Sequence, residues 1–401
     1  MLKLVFLNVL LKEKFFYKSA FEQAVISIAN FIVIVLSSNI LNATEHGKFS
    51  IVLATLFAFQ MINIAFLYGG TFISLKDKRN LPDYRNFLLI MALISGFIYS
   101  LAFSLGVSFL GLINNFEILI LSAFLIFFQV LSDHIRLDYY IFKIGKMPVN
   151  LVLLSVISRI ILLLFASSLL EFIIYIIFSN VFFIPRISNL LIRIRINKLN
   201  FLEKFNIHSK NSSRMTISAC LNWIWNFFPI YLIGGYVDIA LAGVLYSLRS
   251  LANIHHPLSS LFETYAPSKI FNNLKINPEN FIKRSIMLAF ILWVPILIIL
   301  IFFSEQILDT IFGNNFGSYT NEILILWVCS GVLIFSKSLV LLSRRYEKLS
   351  LELKGSIYSS LFTLTIGSYL ILSYDLIGGA VTFLLAGLVF SLTLVLGLRN
   401  K

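Results

Sequence analysis

Twelve apolar stretches of about 19–24 residues, each bounded by polar or charged clusters, recur along this chain of 401 residues. They lie at roughly 20–41, 50–73, 87–109, 116–138, 148–168, 170–192, 215–236, 239–262, 281–303, 322–343, 355–373 and 376–398. A helix rising 1.5 Å per residue crosses the hydrocarbon core of a bilayer with about 20 such residues. Lipid offers no partner to a peptide group, so an apolar run of this length closes its hydrogen bonds within itself, as a helix. A membrane β-barrel would instead alternate apolar and polar residues over about ten-residue strands, a pattern missing here. Composition agrees: 59% of the residues are hydrophobic and 13% charged, against about 25% charged in soluble domains. Twelve spans take about 240 residues, leaving no room for a large soluble catalytic head, and no enzymatic activity is expected. The expected fold class is an all-α polytopic membrane protein with about twelve transmembrane helices.

The formal charge of +13 invites a nucleic-acid reading, but the placement of the cations speaks for topology. With twelve spans both termini share one side, and 28 of the 32 Lys and Arg fall on that side or at its helix ends. The opposite side carries Lys48 alone, beside the acids Glu45, Glu117, Glu171, Asp238, Glu305, Asp309, Glu322 and Asp375. We refer to these as the basic and acidic sides. The positive-inside rule places the basic side, with both termini, in the cytoplasm. Membrane lipids, and not nucleic acid, are the partners such a distribution calls for. The segment MLKLVFLNVLLKEKFFYK at the start reads as an amphipathic arm on the cytoplasmic membrane surface; its short apolar run is followed by Lys and lacks a small-residue cleavage site.

The longest basic-side connection, 193–214, divides the chain near its midpoint. The expected organisation is therefore a six-helix bundle over 1–192 with its N-terminal arm, a basic cytoplasmic linker over 193–214, and a second six-helix bundle over 215–401. A faint internal likeness supports duplication. Gly47 with Phe49 and Ser50 opens the second span, and Gly243 with Leu245, Tyr246 and Ser247 lies near the start of the eighth. The longest acidic-side connection, about 304–321, is short for a membrane glycan polymerase. No Walker A or HExxH motif occurs, and Cys220 and Cys329 lack metal spacing. No metal or cofactor is expected. A secondary transporter, driven by an H+ or Na+ gradient, remains.

Three segments then carry a resemblance. EHGKFSIVLATLFAF, FSEQILDTIFGNNFGSY and DLIGGAVTFLLAGLVFSL resemble, in order, the opening of the second helix, an outward loop and the last helix of the O-antigen and capsule flippases. These belong to the MATE-like multidrug/oligosaccharidyl-lipid/polysaccharide (MOP) exporter superfamily. The resemblance implies export of an oligosaccharide linked to undecaprenyl pyrophosphate across a bacterial inner membrane. It also implies polysaccharide polymerase and chain-length proteins as neighbours in the pathway. Rival readings are a MATE-like drug or cation antiporter, a membrane glycan polymerase and an assembly scaffold.

Candidate site residues follow from charges that lipid cannot accommodate. Arg159, Arg249 and Lys337 lie within the fifth, eighth and tenth spans, where an arginine or lysine costs about 2.5–3.5 kcal/mol on insertion scales unless a wet cavity or partner receives it. A guanidinium fork suits phosphate oxygens better than an ammonium does, so these three are the expected substrate-binding cations, with Arg249 foremost as the deepest and Lys337 able to snorkel. Asp133, Arg136 and Asp138 at the inner end of the fourth span, with Glu22 and Glu263, are candidates for a gate or ion coupling; Asp133 and Arg136 share one helix surface. The adjacent His255 and His256 point to different helix faces and make no metal pair.

The charge asymmetry sets a topology test. Single cysteines at Asn315 and Ser373 are expected to react with an impermeant thiol reagent in intact cells, and one at Ser209 is expected to stay unlabelled. Labelling at Ser209 contradicts the twelve-span topology.

Overall fold

The structure, a computed structural model, describes residues 14–69, 81–109, 111–113, 115–142, 149–183, 198–254, 278–313, 315–346 and 348–399. Among them are twelve α-helices and no strand. These are α1 (Lys14–Ile40), α2 (Ala43–Gly69), α3 (Leu81–Phe109), α4 (Phe116–Phe142), α5 (Val149–Leu163) and α6 (Leu169–Ser179). They continue as α7 (Lys198–Tyr236), α8 (Ile239–Ala252), α9 (Pro278–Phe312), α10 (Thr320–Arg345), α11 (Leu349–Phe362) and α12 (Ser368–Arg399). Seven stretches are long and apolar enough to cross a membrane, and the chain is an all-α polytopic membrane protein. In the N-terminal half, α1 and α3–α6 pack chiefly on one another, and in the C-terminal half α7–α12 do the same, while α2 packs most heavily on α7 and α8 across the two halves.

The last two expected spans show how small residues set helix pairing. A π-turn at Thr363–Gly367 joins α11 to α12, and α12 reverses at Asp375, whose φ is 48°. The chain then runs back antiparallel on itself. Gly378 passes so near the Leu370 carbonyl that a Cβ would sit 2.1 Å from its oxygen. Further along, the Thr382 hydroxyl donates to the Gly367 carbonyl and the Ser359 hydroxyl to Ala386, with Gly355 against Phe390 and Gly397 against Leu351. Small residues let backbones approach where no hydrophobic effect drives helices together.

Two connections differ from expectation. Most of the expected acidic-side loop 304–321 is helical: α9 continues past a break at Phe303 (φ −130°, ψ 17°) to Phe312. Gly313 and Asn315, with φ of 93° and 97°, then turn the chain, and Asp309 Oδ1 accepts from the Gly317 amide at 2.7 Å. A polar sequence reads as a loop, but an exposed helix needs only self-satisfied backbone. Likewise, residues 198–214 of the expected linker form the first turns of α7 and are continuous with the seventh span. They dock on the N-terminal bundle through His208, which is fully buried. Its Nε2–H donates to the Phe66 carbonyl at 2.7 Å, and its Nδ1 accepts from the Tyr84 hydroxyl at 2.7 Å. Burial pushes this imidazole below its ordinary pKa, against the opposing hydrogen bond to Phe66. The arm expected over the first residues lies, through residue 13, outside the described residues.

The bundles meet chiefly where α2 packs on α7 and α8. At the acidic end Gly47 crosses α8 so closely that a Cβ would lie 1.9 Å from the Ile239 oxygen, and one on Gly243 would lie 3.0 Å from the Gly47 nitrogen. The two glycines whose surroundings hint at duplication are therefore the two that touch. Buried His46 sits beside them. Ser37 Oγ donates to the Ile34 carbonyl at 2.8 Å, so it accepts from His46 Nδ1–H at 3.0 Å, which leaves Nε2 to accept from Ser247 Oγ at 2.8 Å. Thr55 and Tyr231 share a 2.6 Å hydroxyl contact one step inward, and the Asn39 amide donates to the Ile311 carbonyl at 3.0 Å.

A side chain at Gly47 must push α2 and α8 apart. Gly47→Ala is expected to lower the thermal unfolding midpoint of the purified protein, with an overpacking cost of about 1–3 kcal/mol. Gly106→Ala, whose Cβ meets nothing within 4 Å, is expected to leave the midpoint unchanged or to raise it through helix propensity. Equal midpoints for Gly47→Ala and the parent contradict the close crossing.

Candidate functional site

Each bundle encloses one deep arginine. In the N-terminal bundle, Arg159 lies ten residues beyond Val149, the start of α5, about 15 Å along the helix at 1.5 Å per residue. Its Nε–H donates to Ser179 Oγ at 3.0 Å and its Nη1 to Asn30 Oδ1 at 3.4 Å. No carboxylate comes within ion-pair distance of it among the described residues. It lines a cavity bounded by α1, α2, α4, α5 and α6, together with Asn30, Gln60, Gln129, Asn180 and Arg136. No Asp or Glu among the described residues lines that cavity.

The expected gate residues form ion pairs at the basic ends of three helices. Arg136 Nε–H donates to Glu22 on α1 at 2.9 Å and its Nη1 to Asp133, one turn back on α4, at 2.8 Å. Gln129 supports Asp133 at 3.3 Å. Asp138 accepts from Arg85 Nε on α3 through both carboxylate oxygens, at 2.7 and 2.8 Å. These residues tie α1, α3 and α4 together. Buried pairs of this kind are costly to break, since removing one partner leaves an uncompensated charge. Arg136 also presents an edge to the cavity, while its two carboxylates do not line it. Glu263, with His255 and His256, lies outside the described residues.

In the C-terminal bundle, Arg249 on α8 is held differently. It donates through Nη1 to the Asn226 carbonyl and through Nη2 to Asn226 Oδ1 at 2.8 Å. The Phe227 and Phe383 rings lie 4.8 and 4.4 Å from its guanidinium carbon. Pro229 has no N–H, so the Trp225 carbonyl, next to that of Asn226, lacks its helical donor. The space at Arg249 is a small pocket lined in part by Asn253, Cys329 and Ser330. Lys337, two turns beyond Ser330 on α10, does not line it. The structure thus separates the three expected cations instead of gathering them in one chamber.

Amides complete the lining of both pockets. Asn30, Gln60, Gln129, Asn180 and Asn226 all lie in apolar stretches, where an unsatisfied amide is also expensive; reading them with the arginines would have outlined both pockets. His46 and His208 lie just beyond span ends, and their burial has no local sequence signature.

No family model matches this sequence, and no curated protein matches it. Solved structures do. The chain is similar to the lipid II flippase MurJ in an inward closed conformation, with 17% identity, 97% of this chain and 88% of that one covered, and a TM-score of 0.71. An inward-facing multidrug resistance MATE family transporter of the MOP superfamily matches with 15% identity, 94% of each chain covered and a TM-score of 0.63. A MOP superfamily transporter from Pyrococcus furiosus, described by the reverse polarity of its binding pocket, matches with 12% identity, 96% and 95% coverage and a TM-score of 0.61. The chain has the fold of the MOP superfamily transporters.

Proposed function

We propose that this protein is a secondary transporter that flips an oligosaccharide linked to undecaprenyl pyrophosphate, such as an O-antigen or capsule repeat unit, across a bacterial inner membrane. The observation that carries this reading is the sign of the deep charges. Each bundle keeps an arginine on the wall of a pocket, and neither pocket is lined by a carboxylate among the described residues. A buried cation with no acidic partner within ion-pair reach has its desolvation offset best by an anion. A drug-cation antiporter of the same fold calls for the opposite, a carboxylate facing the cavity. The fold shared with a lipid II flippase and the three sequence segments resembling polysaccharide flippases support the lipid-linked cargo.

In this reading the basic side faces the cytoplasm, and the cargo's phosphates enter from there to meet Arg159. An H+ or Na+ gradient drives the cycle, with Glu22 and Asp133, both bonded to Arg136, as the coupling carboxylates. Polymerase and chain-length proteins act on the product at the outer face. Deleting the gene is expected to remove a surface polysaccharide and to leave its lipid-linked repeat unit on the cytoplasmic leaflet. A normal surface glycan with altered drug tolerance would favour the antiporter.

A further inference from the structure

The two deep arginines are not equivalent, and their difference identifies a binding site. A guanidinium has five N–H donors in a planar fork. At Arg159, Nε is engaged by Ser179 and Nη1 by Asn30 at the long distance of 3.4 Å. Among the described residues its other donors have no hydrogen-bond partner, and the side chain lines the cavity. The rest of the polar lining is neutral amide, with Gln60, Gln129 and Asn180 among it, the Ser132 and Ser155 hydroxyls, and a second guanidinium edge from Arg136; Asn180 donates to Gln129 Oε1 at 3.3 Å. Amide N–H groups and guanidinium forks are the donors that coordinate phosphate oxygens. The nearby carboxylates of Glu22 and Asp133 are bonded to Arg136 outside the cavity wall, so they temper its field without occupying it.

Arg249 has neither freedom. Two of its nitrogens converge on a single residue, Asn226. Aromatic rings from α7 and α12 lie over its guanidinium. What space remains is much smaller than the other cavity. Its contacts join α7, beside the carbonyl that Pro229 leaves without a donor, to α8 and α12.

We infer that the cavity inside the N-terminal bundle is a phosphate-binding site formed by Arg159 with Gln60, Gln129 and Asn180, and that Arg249 is a positioning residue that fastens α7 to α8 and α12 without touching the anion. The inference rests on the flippase reading in taking this phosphate to be the cargo's pyrophosphate. The chemistry of the site itself requires only a phosphate group, so a free phosphate would satisfy it equally.

The test is binding of inorganic pyrophosphate, and separately of inorganic phosphate, to the purified full-length protein, measured by calorimetry beside its melting temperature. Arg159→Gln is expected to weaken pyrophosphate binding at least about tenfold, the scale of one charge-assisted bidentate contact. Arg159→Lys should lose less, and Gln129→Leu should lose affinity while the charge stays in place. Arg249→Gln is expected to keep the dissociation constant within about twofold of the parent and to lower the melting temperature. Tighter binding of phosphate than of pyrophosphate would assign the site to the free anion and overturn the cargo assignment. Normal pyrophosphate binding in Arg159→Gln, or its loss in Arg249→Gln at unchanged melting temperature, would overturn the site. Should Arg159→Gln fail to fold, Gln129→Leu and Gln60→Leu decide: parent-like binding in both overturns the site. Failure of the flippase reading looks different, as pyrophosphate bound through Arg159 in a protein whose gene deletion leaves every surface glycan intact.

Discussion

A guanidinium in the middle of a bilayer dominates the energetics of everything around it. Insertion scales price it at about 2.5–3.5 kcal/mol even when the membrane adapts, and it cannot shed its proton to escape. The chain keeps two, Arg159 and Arg249, and each bundle is shaped around its own. In the N-terminal bundle the result is a polar cavity among α1, α2, α4, α5 and α6. In the C-terminal bundle it is a small cage of one asparagine and two phenylalanines. The same residue type thus lines an open cavity in one bundle and is caged by an amide and two rings in the other. The arrangement of donors and rings decides which.

The polar residues elsewhere serve closure and cohesion. Gly47 and Gly243 bring α2 and α8 into backbone contact, and His46 bonds Ser37 on one side and Ser247 on the other, so a single imidazole bridges the bundles. At the other end, His208 carries the first turns of α7 onto α2 and α3. The bundles are therefore linked near both ends of α2, while the arginine pockets lie within the bundles themselves. A transporter that rocks two bodies against each other keeps its binding groups rigid within a body and places its breakable contacts between bodies.

Much of this was legible in the sequence, because lipid is an unforgiving solvent. Twelve apolar stretches specify twelve helices, and the paired spans around Asp375 fall where the sequence puts them. Arg159 and Arg249 were visible as costs needing relief, and Asp133 with Arg136 as neighbours on one helix face. Their division into separate pockets was not legible, because it depends on which side chains from distant helices arrive beside them. Asn226 reaches Arg249 only once α7 and α8 pack. Glu22 reaches Arg136 across 114 positions of sequence. The helical continuation of α9 past Phe303 and the docking of 198–210 through His208 were hidden for a similar reason: polar composition marks exposure, not irregular backbone.

The central claim is that the anionic linkage of the cargo is what Arg159 and its cavity recognise. Purified protein in proteoliposomes, supplied on one side with a short polyisoprenyl carrier bearing a labelled sugar, permits a direct comparison of linkages by leaflet exchange of the label. The account predicts exchange of the pyrophosphate-linked sugar and little exchange of the same sugar joined to a neutral polyisoprenol. Equal exchange of both, or transport of a lipophilic cation in place of either, would contradict it.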